Sequence, residues 1–479
     1  MEYDVVIGLE VHVQLKSESK MFCSCANEYG AEPNTNVCPI CLGYPGVLPV
    51  PNIKMIQKTA LAGMMIDCEV AKFSKFDRKS YFYPDQAKNY QITQADLPIC
   101  LEGKIDISGK GLSGKELPTK SIGVERIHME EDVAKSTHFG NCTGVDFNRA
   151  GTPLMEIVSH PDMNSADEVY AYLTNLKQAM QYAGISDCDA EKGQIRCDVN
   201  ISLKPKGAEK LGTKTEIKNL NSFRNAHASI EYEIKRQAKV LDEGGLIRQE
   251  TRGWNADKNH TYIMRVKESA NDYRYFPEPD LLPVTFTDAD LEEIRKEMPE
   301  RPAERYNRYI NELELPEYDA GVLTSDKAMS DYFDACVKAG ADAKATANWM
   351  MSEFLRELNE ANQTISECKV KAEDLAKLLG LVAKKTINGK IAKKVFADMF
   401  ATGNDPEAIV KEKGLVQVTD KSAIEAFVDQ AIEANPGPVQ QYKEGKPNVD
   451  KFFVGQVMKL SRGKANPAMV IEMIKEKLG

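Results

Sequence analysis

Ile7-Gly8-Leu9-Glu10-Val11-His12-Val13-Gln14-Leu15 carries a large apolar side chain at every odd position and at none of the even ones. Alternation with a period of two marks a β-strand, whose successive side chains point to opposite faces. The odd residues therefore belong to a core, and Glu10, His12 and Gln14 share the other face. Residues 195–203 repeat the device: Ile195, Cys197, Val199, Ile201 and Leu203 fall on one side, Arg196, Asp198, Asn200 and Ser202 on the other. Residues 124–130 gather Arg126, His128 and Glu130, and residues 154–158 project Glu156 away from Met155 and Ile157. Lys79, Tyr81, Tyr83 and Asp85 also share a parity. The solvated face of an antiparallel sheet alternates in the same way, but such faces are filled mainly with Lys, Glu and Thr. Strand by strand the solvated face is the commoner cause of alternation, but the His, Asp, Asn, Arg and Tyr found here are types that ligate metals and bind phosphate, so a functional sheet face stands open beside it.

Outward from these strands, the chain up to about residue 285 reads as short alternating segments separated by Gly, Pro and Asn turns. Two helical stretches interrupt it, at 165–183 and at 222–241, the second with Ser222 placed as an N-cap. After Pro277-Glu278-Pro279-Asp280 the apolar residues take up helical spacing. Helix starts follow at Thr324-Ser325-Asp326 and Asp405-Pro406-Glu407, and Gly403-Asn404-Asp405-Pro406 reads as a linker. The expected class is α+β: a mainly antiparallel-sheet domain over 1–293, an all-α domain over 294–403 and a small all-α tail over 404–479.

With 42% hydrophobic and 28% charged residues the chain has the composition of an ordinary soluble globular protein. No apolar run approaches the ~18 residues of a membrane helix, and the acidic start Met1-Glu2-Tyr3-Asp4 has no signal-peptide character. A cytoplasmic protein without membrane contact is expected. A formal net charge of −10 excludes one that coats DNA or RNA by bulk attraction, though not one that grips RNA with a local patch. Eleven cysteines in such a compartment read as fillers or metal ligands rather than disulfides.

Cys23-Ser24-Cys25, twelve intervening residues, then Cys38-Pro39-Ile40-Cys41 form two close pairs. Four thiolates so spaced suit a closed tetrahedral zinc site with a structural role, since no coordination position is left open. Glu10, His12, Glu130 and Glu156 suit a hard cation instead, Mg²⁺, which offsets charge on a phosphoryl group. No phosphate-binding P-loop is present: in the stretch from Gly207 to Thr215 the lysine comes one position late after the second glycine. Any nucleotide site must be built on the sheet.

Longer strings carry a family resemblance. They are residues 7–15, Tyr44-Pro45-Gly46-Val47-Leu48-Pro49-Val50, residues 75–85, His128-Met129-Glu130-Glu131-Asp132, residues 148–154, residues 216–223, residues 272–280, and Val454-Gly455-Gln456-Val457-Met458-Lys459. Together they resemble, essentially end to end, the B-subunit family of the tRNA-dependent glutamyl/aspartyl amidotransferases. The resemblance implies a cradle-shaped, kinase-like sheet domain, a helical domain and a tail that contacts tRNA. It implies ATP-dependent phosphorylation of the side-chain carboxylate of misacylated Glu-tRNA(Gln) or Asp-tRNA(Asn). It also implies a heterotrimer with a glutaminase A subunit that supplies ammonia and a small C subunit. By motif, His12, Glu130 and Glu156 become the Mg²⁺ ligands with Glu10 in the same site, and Lys79, Tyr81, Arg126, Asp198 and Asn200 line the nucleotide and acyl-end pocket.

From Asn435 to Gly479 eight basic residues face four acidic ones, a net of +4 in an acidic chain. Incidental bias and RNA contact fit that charge equally; the resemblance favours tRNA, with Lys459, Arg462 and Lys464 as contacts. Three other readings compete. The related E-subunit family carries an inserted domain for which 479 residues leave no room. A non-catalytic tRNA-binding scaffold would have no use for the acidic cluster. A stand-alone zinc hydrolase is disfavoured by an all-cysteine set.

Overall fold

The computed structural model describes residues 2–266, 273–416, 421–443, 449–461 and 465–479. The chain divides into two compact units, Met1–Pro302 and Ala303–Gly479.

Strand β1 (Tyr3–Gln14) forms the middle of the first unit. It is followed by β2 (Glu69–Val70), β3 (Phe73–Ser74), β4 (Asp77–Ser80), β5 (Tyr90–Thr93), β6 (Cys100–Lys110), β7 (Glu116–Glu131), β8 (Lys135–Phe139) and β9 (Cys142–Asp146). Then come β10 (Pro153–Ser159), β11 (Ile195–Pro205), β12 (Thr215–Lys218), β13 (Glu250–Asn255), β14 (His260–Val266), β15 (Phe276–Pro277) and β16 (Val284–Thr285). Nine of them make one sheet in the order β14-β13-β12-β11-β1-β10-β7-β6-β2. Every pairing is antiparallel except β12 with β13. The expected α+β class with a mainly antiparallel sheet is the one observed.

One face of this sheet is a core. Ile7, Leu9, Val11 and Val13 are at most 1% exposed, and they pack in one apolar cluster with Ile127, Met129, Ile157, Val199 and Ile201 from the neighbouring strands. Helices α1 (Ile53–Met65), α2 (Ala166–Tyr182) and α3 (Phe223–Asp242) contribute to the same cluster. The Ser165 and Ser222 hydroxyls cap α2 and α3 by accepting from the Glu168 and Asn225 amides, which satisfies donors that have no partner inside the helix. Helix α1 was not expected from the sequence. It is buried on most of its circumference, from Met55 and Ile56 through Thr59 to Met65, so it lacks the one-sided stripe by which a surface helix is read.

A second correction concerns the segment after Lys79. Strand β4 ends at Ser80, so Tyr81, Tyr83 and Asp85 do not continue one strand face with Lys79; the chain turns back, with the Asn89 carbonyl accepting from the Tyr81 amide at 2.9 Å.

The second unit is helical. Thr287, still in the first unit, caps Asp288–Lys296 with a full capping box. In the second unit, Asp326 caps Lys327–Lys338 and Asp405 caps Pro406–Glu412. Two separate apolar clusters hold it together, one around Phe333, Phe354 and Phe396, the other around Ile424, Phe453, Val457 and Ile474. Among the described residues no helix is long and apolar enough to cross a membrane.

Leu9, 1% exposed beneath the polar face, is a direct probe of this packing. Leu9→Ala is expected to lower the stability of the first unit by about 2–5 kcal/mol, read as a shift of the urea-unfolding midpoint. A change below about 1 kcal/mol would contradict the assignment of this row to the core.

Candidate active site on the polar sheet face

The uncovered face owes its composition to register. His12 on β1 lies opposite Glu156 on β10, Glu156 opposite His128 on β7, and on the other side His12 opposite Arg196 on β11. Residues directly opposite one another share a face with Cβ atoms about 5 Å apart. Four strands thus deliver one continuous polar row. His12 Nε2 is 3.3 Å from Glu156 Oε2 and 3.5 Å from Glu130 Oε1. His128 Nε2 is 3.3 Å from the same Glu156 oxygen and 4.0 Å from Glu130 Oε2. Donor atoms of His12, Glu130 and Glu156 lie within 4.8 Å of one another, close enough to meet on one ion.

The cluster is largely shielded: Glu130 is 3% and His128 7% exposed. Burial pushes the Glu130 carboxyl above its ordinary range. Burial acts the same way on Glu156, but hydrogen bonds from His12 and His128 outweigh it and hold that carboxyl well below the usual range. Burial would depress His12, yet Glu156 and Glu130 raise it to about 9. Lys79 of β4 adds positive charge: burial disfavours its ammonium, and Glu130 and Glu156 outweigh that and raise its pKa. Its Nζ also sits 5.0 Å from the centre of the Tyr273 ring.

Glu10 is not part of this group. It lies opposite Asp198 on β11, and Asn200 on β11 lies opposite Glu216 on β12. Glu10, Asp198 and Glu216 form their own acidic cluster. Within it the Lys218 ammonium pairs with Asp198 and, at 3.1 Å, with Glu216, and Asn200 Nδ2 donates to Glu10 Oε1 at 3.0 Å. The Glu10 carboxylate falls in this second group and not among the donor atoms of His12, Glu130 and Glu156. The shared parity of Glu10 and His12 therefore gave the right face and the wrong neighbours.

Two cavities lie along β1, one beside its middle and one at its C-terminal end. One of about 420 Å³ is lined by Gly8, Glu10, Arg126, Ser159, Asn200 and Lys214. The other, about 940 Å³, includes Gln14, Asn27, Tyr29, Asn148, Arg149 and Arg196 in its lining. Arg126, ion-paired to Glu125, lines the first cavity. Buried Asp132 accepts from Gln14 and Arg196 beside the second. Tyr81 lies past the end of β4, its ring 4.7 Å from that of Tyr83. Sequence reasoning missed His128, Arg196, Glu216 and Lys218 as site residues, although the first two stood on the alternating faces.

The four cysteines are brought together: Sγ atoms of Cys23, Cys25, Cys38 and Cys41 lie within 4.8 Å of one another, Cys38 and Cys41 at 3.9 Å. A tetrahedron with Zn–S bonds of about 2.3 Å has edges near 3.8 Å, so the set fits zinc. Cys41 accepts a hydrogen bond from the Cys38 amide at 3.1 Å. Hydrogen bonding from Cys23, more than offsetting burial and aided by the Cys38 amide and Lys20, brings Cys41 down to about 4, whereas burial first and then hydrogen bonding to Cys38 push Cys25 to about 11. In the tail, Lys459 is exposed near the end of Val449–Leu460. Arg462 and Lys464 lie outside the described residues.

Two acid clusters on the polar face of a helix-backed sheet, in a chain that also gathers four cysteines, define an α+β protein with its candidate site on strand residues. Residues 5–292 match the family described as the GatB/GatE catalytic domain, and residues 331–478 match the GatB domain. The chain is 53% identical over 483 residues to the B subunit of an aspartyl/glutamyl-tRNA(Asn/Gln) amidotransferase from Caldicellulosiruptor saccharolyticus, covering 100% of this chain and 99% of that one. It is 51% identical to proteins of the same name from Carboxydothermus hydrogenoformans, over 482 residues (100% and 99%), and from Thermoanaerobacter pseudethanolicus, over 480 residues (100% of both). This chain belongs to the GatB/GatE family.

The separation of the two acid clusters has a measurable consequence. With Mn²⁺ as a paramagnetic probe, His12→Ala, Glu130→Gln and Glu156→Gln are each expected to weaken binding at least tenfold, while Glu10→Gln changes it by less than about threefold. Equal losses in all four variants would mean that the clusters act as one site.

Proposed function

We propose that this chain performs the carboxylate-activating half of tRNA-dependent amidation. It transfers the γ-phosphoryl group of ATP to the side-chain carboxylate of Glu-tRNA(Gln), Asp-tRNA(Asn) or both. The observation that carries the reading is the His12–Glu130–Glu156 cluster on the polar face of the sheet, in a chain that matches the family along its length. The relatives are by name B subunits of amidotransferases acting on tRNA. The corresponding partners here are a glutaminase A subunit and a small C subunit in a heterotrimer.

A carboxylate is a poor electrophile, since ammonia cannot displace an oxide leaving group. Attack of one carboxylate oxygen on the γ-phosphorus gives an acyl phosphate and releases ADP. Ammonia then adds to the acyl carbon, and phosphate departs with that oxygen. The protein's task is to position the reactants and neutralise charge. Two carboxylates and an imidazole within 4.8 Å on an open sheet face fit Mg²⁺, held by His12, Glu130 and Glu156. Once bound, the ion would supply charge neutralisation at phosphoryl oxygens. Lys79 adds a positive charge over the same carboxylates. Arg126 and Asn200 at one cavity and Arg196 at the other provide donors for the two substrates, and Tyr81 lies close enough to Lys79 to feel its charge. The second cluster differs: Lys218 pairs with both Asp198 and Glu216 and Asn200 donates to Glu10, and there Glu10 and Asp198 orient substrate. The Cys23, Cys25, Cys38 and Cys41 centre holds structural zinc.

The kinase-like cradle is taken to the end of the first compact unit at Pro302, since 293 falls inside the helix Asp288–Lys296, followed by the helical domain and the tail over 404–479, whose basic residues include Lys459, Arg462 and Lys464. The tail's cluster from Ile424 to Leu478 is separate from that around Phe333, so removing residues 417–479 leaves the other core intact. That truncation is expected to weaken tRNA binding and flatten its dependence on salt, while glutamine hydrolysis by the assembled complex is preserved. Unchanged tRNA affinity would leave the tail only a structural role.

Glu130→Ala or His12→Ala, assembled with wild-type partners, is expected to lose about 10²-fold or more in tRNA-dependent ADP formation. Both should stay inactive with free ammonium in place of glutamine. Rescue by ammonium would place these residues on the ammonia path and overturn the assignment.

A further inference from the structure

Lys20 has no solvent-exposed surface, which is unusual for a lysine. A buried ammonium is stable only when paired and hydrogen-bonded. Among the described residues no carboxylate forms an ion pair with it. Its Nζ contacts Cys41 Sγ at 3.6 Å and the Phe147 carbonyl oxygen at 3.1 Å. Four neutral thiols would leave this charge without a counter-ion. Four thiolates around a divalent ion carry a net charge of −2, and a buried centre of that charge needs a cation as much as Lys20 needs an anion.

Assuming the metal reading of the cysteines proposed above, we infer that Lys20 is the buried counter-charge of the four-cysteine centre, holding the metal-bound Cys41 thiolate and tying the knuckle to the chain that enters β10.

The surroundings fit that role. The Lys20 amide donates to the Cys25 carbonyl at 3.0 Å, closing the loop around the first cysteine pair. Its side-chain stem passes over Gly151, which has φ +84°; a Cβ there would stand 3.4 Å from Lys20 Cδ and 3.9 Å from Cys41 Cβ. The Met21 amide donates to the Gly151 carbonyl at 2.7 Å, and the Gly151 amide to the Asp132 carbonyl at 2.9 Å. The ammonium on Phe147 adds a third link to this turn. It leads directly into β10, the strand that carries Glu156. Outer-shell partners of this kind orient metal ligands and tune their basicity. Lys20 is thus a positioning residue for the metal centre, not a catalytic one.

The test uses the full-length chain with Co²⁺ exchanged into the centre, whose thiolate-to-metal charge-transfer band reports the ligands directly. Lys20→Met keeps the stem and removes the charge. It is expected to release metal to a chelator at least about tenfold faster than wild type and to shift the band to lower energy, because the Cys41 lone pairs lose their stabilising neighbour. Lys20→Arg should restore slow release. If Lys20→Met does not fold, Lys20→Gln against Lys20→Arg serves instead: fast release from Gln and slow release from Arg support the inference, and equal rates overturn it. Wild-type release and an unshifted band in Lys20→Met would overturn the role of Lys20 alone. Failure of the wild-type chain to take up cobalt stoichiometrically through its cysteines would overturn the metal reading, and the inference with it.

Discussion

The pairing register of β1 between β10 and β11 is the constraint on which the molecule depends. Because side chains alternate with a period of two, a slip of one residue would turn Leu9, Val11 and Val13 outward and drive Glu10 and His12 into the helices. Burial of the odd row against α1, α2 and α3 fixes the register, and the register alone sets His12 opposite Glu156 and Glu10 opposite Asp198. Stability and site geometry are therefore one property. The energy that holds the cluster in place comes from the apolar face, so the polar face can carry two carboxylates and two imidazoles in close contact, an arrangement unfavourable by itself.

The same logic explains the division of the polar face. A hard cation needs oxygen ligands free to turn toward it. Glu156 lies against the imidazoles of His12 and His128, and Glu130 against that of His12, with Lys79 near both. Asp198 and Glu216 are already tied to Lys218, and Glu10 to Asn200. One cluster keeps its two carboxylates among imidazoles, and the other has each carboxylate tied to a side-chain donor.

Much of this was legible in the sequence because alternation is a direct record of which side of a strand is buried. It identified the β1, β10 and β11 faces, and helical spacing located α2 and α3, the latter also by its Ser222 cap. Alternation records only the face, however. Which residues meet across strands depends on register, and so Glu10 was grouped with His12, while Glu216 and Lys218, on a short strand of four residues, went unnoticed. Helix α1 escaped because burial nearly all round erases the amphipathic stripe. Lys20, in the polar run Lys16-Ser17-Glu18-Ser19-Lys20, reads as a surface residue; only the fold shows it fully enclosed. The run from Lys79 to Asp85 kept a strand's parity without remaining a strand, since β4 ends at Ser80.

The most direct measurement follows the oxygen atoms. Misacylated tRNA whose side-chain carboxylate carries ¹⁸O, turned over by the assembled complex with ATP and glutamine, is expected to deliver one carboxylate oxygen into inorganic phosphate for each amide formed. Labelled phosphate in that ratio, lost together with amide formation in the Glu130→Ala complex, is the result that phosphorylation of the carboxylate at the sheet face requires. Amide formed with unlabelled phosphate would contradict it.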